Sequence, residues 1–160
     1  MKKNTWLWIL GIILLLVIVW FASTGNREGP KTSRTTDEIA VACTTHESDR
    51  FHIHPVLQIM VDGVSVAIPA DVGITPGCMK TLHTHTPDGI IHIESGEPRD
   101  FTLGHFFTSW ERPFSRTQVL DHVAGDTHRI RMTVNGSEVD TYENTILRDH
   151  DQIVIYYEAI

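Results

Sequence analysis

The chain has 160 residues and a formal net charge of −7, from 13 Lys+Arg and 20 Asp+Glu. That is room for one compact domain and an accessory segment, and the acidic balance excludes a nucleic-acid binder working through a basic face. Two cysteines exclude a disulfide-dense scaffold and a four-cysteine zinc site, whereas ten histidines in a chain of this length demand an explanation.

In chain order, residues 4–26 carry no charge, and an apolar run extends from Trp6 to Ala22. As a helix this run spans roughly 25 Å, near the ~30 Å hydrocarbon core of a bilayer. Trp6, Trp8 and Trp20 lie near its ends, where amphipathic rings favour the headgroup zone. Lys2 and Lys3 precede it, which sets the N-terminus in the cytoplasm and the remainder outside. The apolar part of a cleaved signal peptide is shorter, about 7–15 residues. Residues 1–24 are therefore expected to form an uncleaved single-pass membrane anchor, with cleavage near Ser23-Thr24-Gly25 as the competing reading. Residues 25–38 are rich in Gly, Ser, Thr, Pro and charge and read as a flexible linker. Residues 39–160 are left as an extracytoplasmic domain.

The domain reads mainly as strands. Residues 51–61 alternate, with Phe51, Ile53, Leu57, Ile59 and Val61 on one face and His52, His54, Gln58 and Met60 on the other. Asp62-Gly63 signals a two-residue hairpin turn. Pairing Val61 with Val64 then sets Ile59 opposite Val66 and Leu57 opposite Ile68, so the apolar faces agree. Leu103, Phe106, Phe107 and Trp110 recur at helical spacing before Pro113, an aromatic stripe that reads as core. Ile130, Met132 and Val134 lead to a second hairpin turn at Asn135-Gly136, with Val139 returning on the same face and Arg131 opposing Asp140. Residues 153–158 form a last strand. The expected fold is α+β, mainly antiparallel β with one packed helix, preceded by the N-terminal transmembrane helix. Periodicity leaves a β-grasp-like sheet and a small sandwich equally open.

Chemistry concentrates in Leu82-His83-Thr84-His85-Thr86-Pro87-Asp88-Gly89-Ile90-Ile91-His92-Ile93-Glu94. The Thr-Pro-Asp-Gly stretch is a turn: Pro fixes φ, Asp caps and Gly accepts positive φ. If His85 faces Ile90, His83 faces His92, and Leu82, Thr84, Ile91 and Ile93 share the opposite, burial-competent face. A one-residue slip breaks that face up, so burial selects the first register. It gathers His83, His85, His92 and Glu94 on one side, where neighbouring Cβ atoms lie about 4.5–5.5 Å apart. His52 and His54 supply a second same-face pair. Imidazoles so placed can converge on one ion, and neutral imidazole suits zinc and copper alike. Glu94 fits either a direct ligand or a carboxylate orienting an imidazole. A polar sheet face or a proton-sensing patch is the plainer alternative. His46, His105, His122, His128 and His150 fall in loops, at turns or near a helix start and read as solvated.

Cys43 and Cys78 lie beyond the anchor, where disulfides persist. A bridge closing a loop of about 35 residues stabilises by roughly 3–4 kcal/mol. The alternative is Cys78, with Met79, as a soft copper ligand.

The strings Phe51-His52-Ile53-His54, Ile68-Pro69-Ala70-Asp71-Val72-Gly73-Ile74, Leu82-His83-Thr84-His85, Gly89-Ile90-Ile91-His92-Ile93-Glu94 and Phe101-Thr102-Leu103-Gly104 carry a resemblance. Over roughly Cys43 to Trp110 the chain resembles an uncharacterised family of membrane-anchored prokaryotic proteins with an extracytoplasmic domain. The resemblance implies the domain boundary and the histidine set, and no reaction. The expected function is extracytoplasmic binding of copper or zinc, in acquisition, buffering or delivery, through His52, His54, His83, His85, His92 and Glu94. The expected partners are the membrane, through the N-terminal helix, and a metal ion; no nucleic acid is expected. Two alternatives stand beside it: a metal-dependent enzyme with Glu94 as general base, and an adhesion or assembly module whose histidine face contacts a partner.

Overall fold

A computed structural model gives the structure of residues 34–44 and 50–160. The expected anchor, most of the expected linker and His46 lie outside the described residues. Among the described residues, no helix is long and apolar enough to cross a membrane.

In chain order the elements are α1 (Thr36–Ala40), β1 (Phe51–Ile53), β2 (Val56–Val61), β3 (Val64–Val66), β4 (Ile74–Thr75), β5 (Cys78–Met79), β6 (Leu82–His83) and β7 (His92–Ser95). Helix α2 (Leu103–Trp110) follows, then β8 (Phe114–Ser115), β9 (Gln118–Val119), β10 (His122–Val123), β11 (His128–Val134), β12 (Ser137–Val139) and β13 (Gln152–Ala159). The class is mostly antiparallel β with one packed helix, as composition and periodicity imply.

The larger sheet has the order β12-β11-β13-β2-β3. The last strand inserts between the two hairpins, pairing antiparallel with β11 and parallel with β2. Both hairpin turns have the backbone their residues announce: Asp62 and Gly63 sit at φ 48° and 80°, Asn135 and Gly136 at 52° and 80°. The register pairs Val61 with Val64 and Ile59 with Val66. Leu57, Ile59, Met132, Ile153 and Ile155 are buried from this sheet, together with Phe101, Leu103, Phe106 and Phe107 from α2 and its approach.

Two local expectations are corrected and a third is refined. Residues 51–61 are two strands rather than one, because Pro55 lacks the N–H a ladder needs; β1 leaves for a second sheet while β2 enters the larger one. The register that pairs Met132 with Val139 continues to the level of Arg131 and Asp140, while the ion pairs formed are Arg131 with Glu158, Nε 3.0 Å from Oε1, and Asp140 with Arg116 at 3.9 Å. The end of the expected linker is ordered. Thr35 and Glu38 form a reciprocal N-terminal cap on α1, and Ile39 and Ala40 are buried.

The second sheet, β1-β7-β6, carries His52, His83 and His92 on its strands. Leu82 faces Ile93 and His83 faces His92, the register that burial selects. Leu82, Thr84, Ile91 and Ile93 are all fully buried. Ile91 N–H donates to the Pro55 carbonyl and Leu57 N–H to the Gly89 carbonyl, at 2.9 and 2.8 Å, stitching the turn after His85 onto β2.

Candidate metal centre

The centre is built on β7, which places His92 and Glu94 on one face with Ile93 between them on the other, as strand alternation requires. On one side β6 sets His83 opposite His92. On the other side β1 sets His52 opposite Glu94. His85 follows β6 into the turn, and His54 follows β1 into the Pro55 break. Six side chains from three strands therefore face a common space.

Among the described residues the donor atoms form two groups, each with all its members within 4.8 Å of one another: His83, His85, His92 and Glu94 in one, His52, His54 and His92 in the other. The ring centroids of His85 and His54 are 4.7 and 4.8 Å from that of His92, both in edge-to-face geometry. The His83 ring stacks on His92 at 5.5 Å and an interplanar angle of 15°. All six residues expected from the sequence are thus brought together.

The tautomer of His83 follows from its partner. Nδ1–H donates to the Lys80 carbonyl at 2.9 Å, and a carbonyl only accepts. The neutral ring then keeps its lone pair on Nε2, which lies 3.2 Å from His85 Nε2. Two imidazole nitrogens bound to one tetrahedral zinc at about 2.0–2.1 Å are about 3.3–3.4 Å apart. The observed 3.2 Å is close to that separation and is also a hydrogen-bond distance between the two rings.

Glu94 is buried, and its Oε1 lies 3.2 Å from His52 Nε2 and 3.9 Å from His83 Nε2. The carboxylate stands between the two groups, in place to act as an oxygen ligand or as an orienting partner. Burial, followed by the neighbouring imidazoles of His85, His54 and His83, pushes the His92 imidazole down to about 4, against the pull of Glu94. His92 is consequently neutral near pH 7, the form that binds a metal.

The supporting atoms are backbone and turn groups. Thr86 Oγ1–H and Ile90 N–H donate to the Asp88 carboxylate at 2.7 and 3.0 Å, closing the turn and holding that carboxyl below the usual range. Gly89 has φ +82°, and a Cβ there would fall 2.3 Å from the Leu57 carbonyl oxygen. Beside His85 a groove of about 470 Å³ opens, bordered by Asp71, Ile74, Thr75, Cys78 and Met79.

Cys78 is bridged to Cys43 and supplies no thiolate, which answers the alternative of a soft cysteine ligand. His105 is no solvated residue: Thr102 N–H donates to its Nδ1 at 2.9 Å, and its Nε2–H donates to Asp37 at 2.8 Å. It caps α2 and ties α1 to it. His128 stacks on Tyr157, with centroids 4.7 Å apart, and reaches Asp62 at 3.3 Å. Sequence reasoning missed Asp149, whose Oδ1 accepts from the His54 N–H at 2.8 Å and lies 3.8 Å from His54 Nδ1. Its only signal was a turn-forming Arg-Asp-His-Asp run.

Comparison of the chain with protein-family models, curated proteins and solved structures finds no match.

Proposed function

We propose that the chain is a membrane-anchored, extracytoplasmic metal-binding protein that handles copper or zinc in acquisition, buffering or delivery. The observation that carries this reading is the convergence of His83, His85, His92 and Glu94 within 4.8 Å. Three imidazoles and a carboxylate make a complete tetrahedral donor set for zinc, and imidazole serves copper equally. The anchor and the extracytoplasmic placement rest on the apolar N-terminal run, the preceding lysines and the resemblance to membrane-anchored prokaryotic proteins. The disulfide fits an oxidising compartment.

Binding is favoured over catalysis by the same count of donors. A catalytic zinc holds three protein ligands and keeps a fourth position open, whereas four side chains meet here. The groove beside His85 supports the enzyme as a second reading, with Glu94 as general base; it requires a site in which one of the four lets go.

The test is the metal content of the purified full-length chain. Near-stoichiometric copper or zinc is expected, with loss of the tightly bound ion on replacing His83 and His85 together. His83→Asn is the variant of choice at the buried position, because its amide keeps a donor for the Lys80 carbonyl while removing Nε2. A metal-free chain that stays empty after exposure to both ions refutes the reading.

A further inference from the structure

We infer that the centre holds two cation positions that share His92: an inner one of His83, His85, Glu94 and His92, and an outer one of His52, His54 and His92. This rests on the metal-binding reading above and goes further, to how many ions the centre takes and in what order.

One ion cannot use all the donors. Five imidazoles and a carboxylate exceed the four-coordinate shell typical of zinc held by nitrogen and oxygen. The donors instead divide into two groups, each closed within 4.8 Å, with His92 in both. His52 and His54 add to this a donor pair of their own: their ring centroids are 4.4 Å apart, and the Asp149 carboxylate stands 3.8 Å from His54 Nδ1 as a further oxygen. His52 and His54 are 42% and 36% exposed at the side chain, so an ion reaches this pair from solvent. His83 is fully buried, so the inner position loses less to water.

A path of short steps joins the two. From His52 Nε2 it is 3.2 Å to Glu94 Oε1, 3.9 Å on to His83 Nε2, and 3.2 Å from there to His85 Nε2. His92 lies against rings of both groups, with centroids 4.8 Å from His54 and 4.7 Å from His85. An ion captured at the outer group can therefore pass inward with His92 bound throughout, exchanging two imidazoles for two others and gaining a carboxylate. The four-donor inner position fills first. A second ion then occupies the outer position more weakly, because His92 can serve both ions only through its two ring nitrogens, and the second of these binds only as its proton is released to solvent.

Zinc alone, titrated into the full-length chain against a chelator of known affinity, tests this. Wild type should take two Zn²⁺ per chain in separate steps, the second roughly tenfold weaker or more, a gap of about 1.4 kcal/mol. His52→Ala/His54→Ala should abolish the weak step and spare the tight one. His83→Asn/His85→Ala should remove the tight step and leave one weak ion; His85→Ala alone, at an exposed position, gives the same reading if the double variant fails to fold. His92→Ala should weaken both steps.

A single equivalent in wild type, or loss of all zinc in the His52/His54 variant, overturns the two-position centre while leaving the metal-binding reading intact. No zinc and no copper in any form overturns both.

Discussion

Removing the Cys43–Cys78 bridge gives the prediction with the most direct magnitude. The two residues are 35 apart in sequence, and the chain-entropy estimate for closing such a loop is about 4 kcal/mol at 25 °C. Against a total stability of about 5–15 kcal/mol for a domain of this kind, that is a large share. The native structure around the bridge does not depend on sulfur alone. Thr44 N–H donates to the Met79 carbonyl at 2.7 Å and Thr81 N–H to the Ala42 carbonyl at 3.1 Å, so the chain on either side of Cys43 is held against residues 79–81 by backbone bonds. The cost should accordingly fall on the unfolded ensemble, with the folded centre preserved. Urea unfolding of oxidised wild type, reduced wild type and Cys43→Ser/Cys78→Ser should show the last two less stable than the first by about 3–4 kcal/mol. Zinc stoichiometry measured without denaturant should be unchanged. A stability loss below about 1 kcal/mol would refute the loop-entropy reasoning. Loss of zinc from a variant that is still folded would show that the bridge shapes the centre instead.

Three further outcomes follow from individual groups. The folded metal-free chain pushes His92 down to about 4, while the unfolded chain takes up that proton near 6.5, so this contribution to stability is complete above pH 6.5 and is lost as pH falls toward 4, by at most about 3 kcal/mol; denaturation at stepped pH should show it, and His92→Asn should flatten that part of the profile. Arg131, then Arg129, holds the Glu158 carboxyl below its usual range through hydrogen bonds, so Glu158→Gln should cost about 1 kcal/mol at pH 7, a difference that vanishes as wild type is acidified below the carboxylate range. Gly89→Ala should cost about 1–3 kcal/mol in thermal unfolding, because the new Cβ meets the Leu57 carbonyl at 2.3 Å. Gly63→Ala, at a matching φ of +80° with open space around it, should cost less; equal losses would rule out the close approach as the cause.

What could be read from the sequence was whatever local chemistry dictates. The Asp-Gly and Asn-Gly turns require positive φ, which few other residues tolerate, so both hairpins and the first one's register followed from their positions. The opposition of His83 and His92 followed from a single fact: a one-residue slip would expose Leu82, Ile91 and Ile93, and all three are fully buried. Long-range pairing left no such mark. Nothing local says that β13 runs parallel to β2, or that His52 comes to face Glu94, because several strands with the same alternation are interchangeable until the whole core is packed. His105 was misread for a related reason: its partner Asp37 is distant in sequence, and the cap it makes with Thr102 N–H uses a ring nitrogen where a carboxylate is usual.

The clearest legible signal left unused was Pro55, and it decides the centre. Alternation carried one strand through it, yet a residue without N–H cannot continue a central ladder. Its carbonyl instead accepts from Ile91 N–H at 2.9 Å, fixing the break directly against the strand that carries His92. Upstream of the break, β1 pairs with β7 and delivers His52 and His54; downstream, β2 enters the larger sheet. Had residues 51–61 run on as one straight strand, His52 and His54 would lie along an extension of the larger sheet, away from His92. The proline that divides the strand therefore brings the first His-x-His pair to the second, and with it the shared ligand on which a two-ion centre depends.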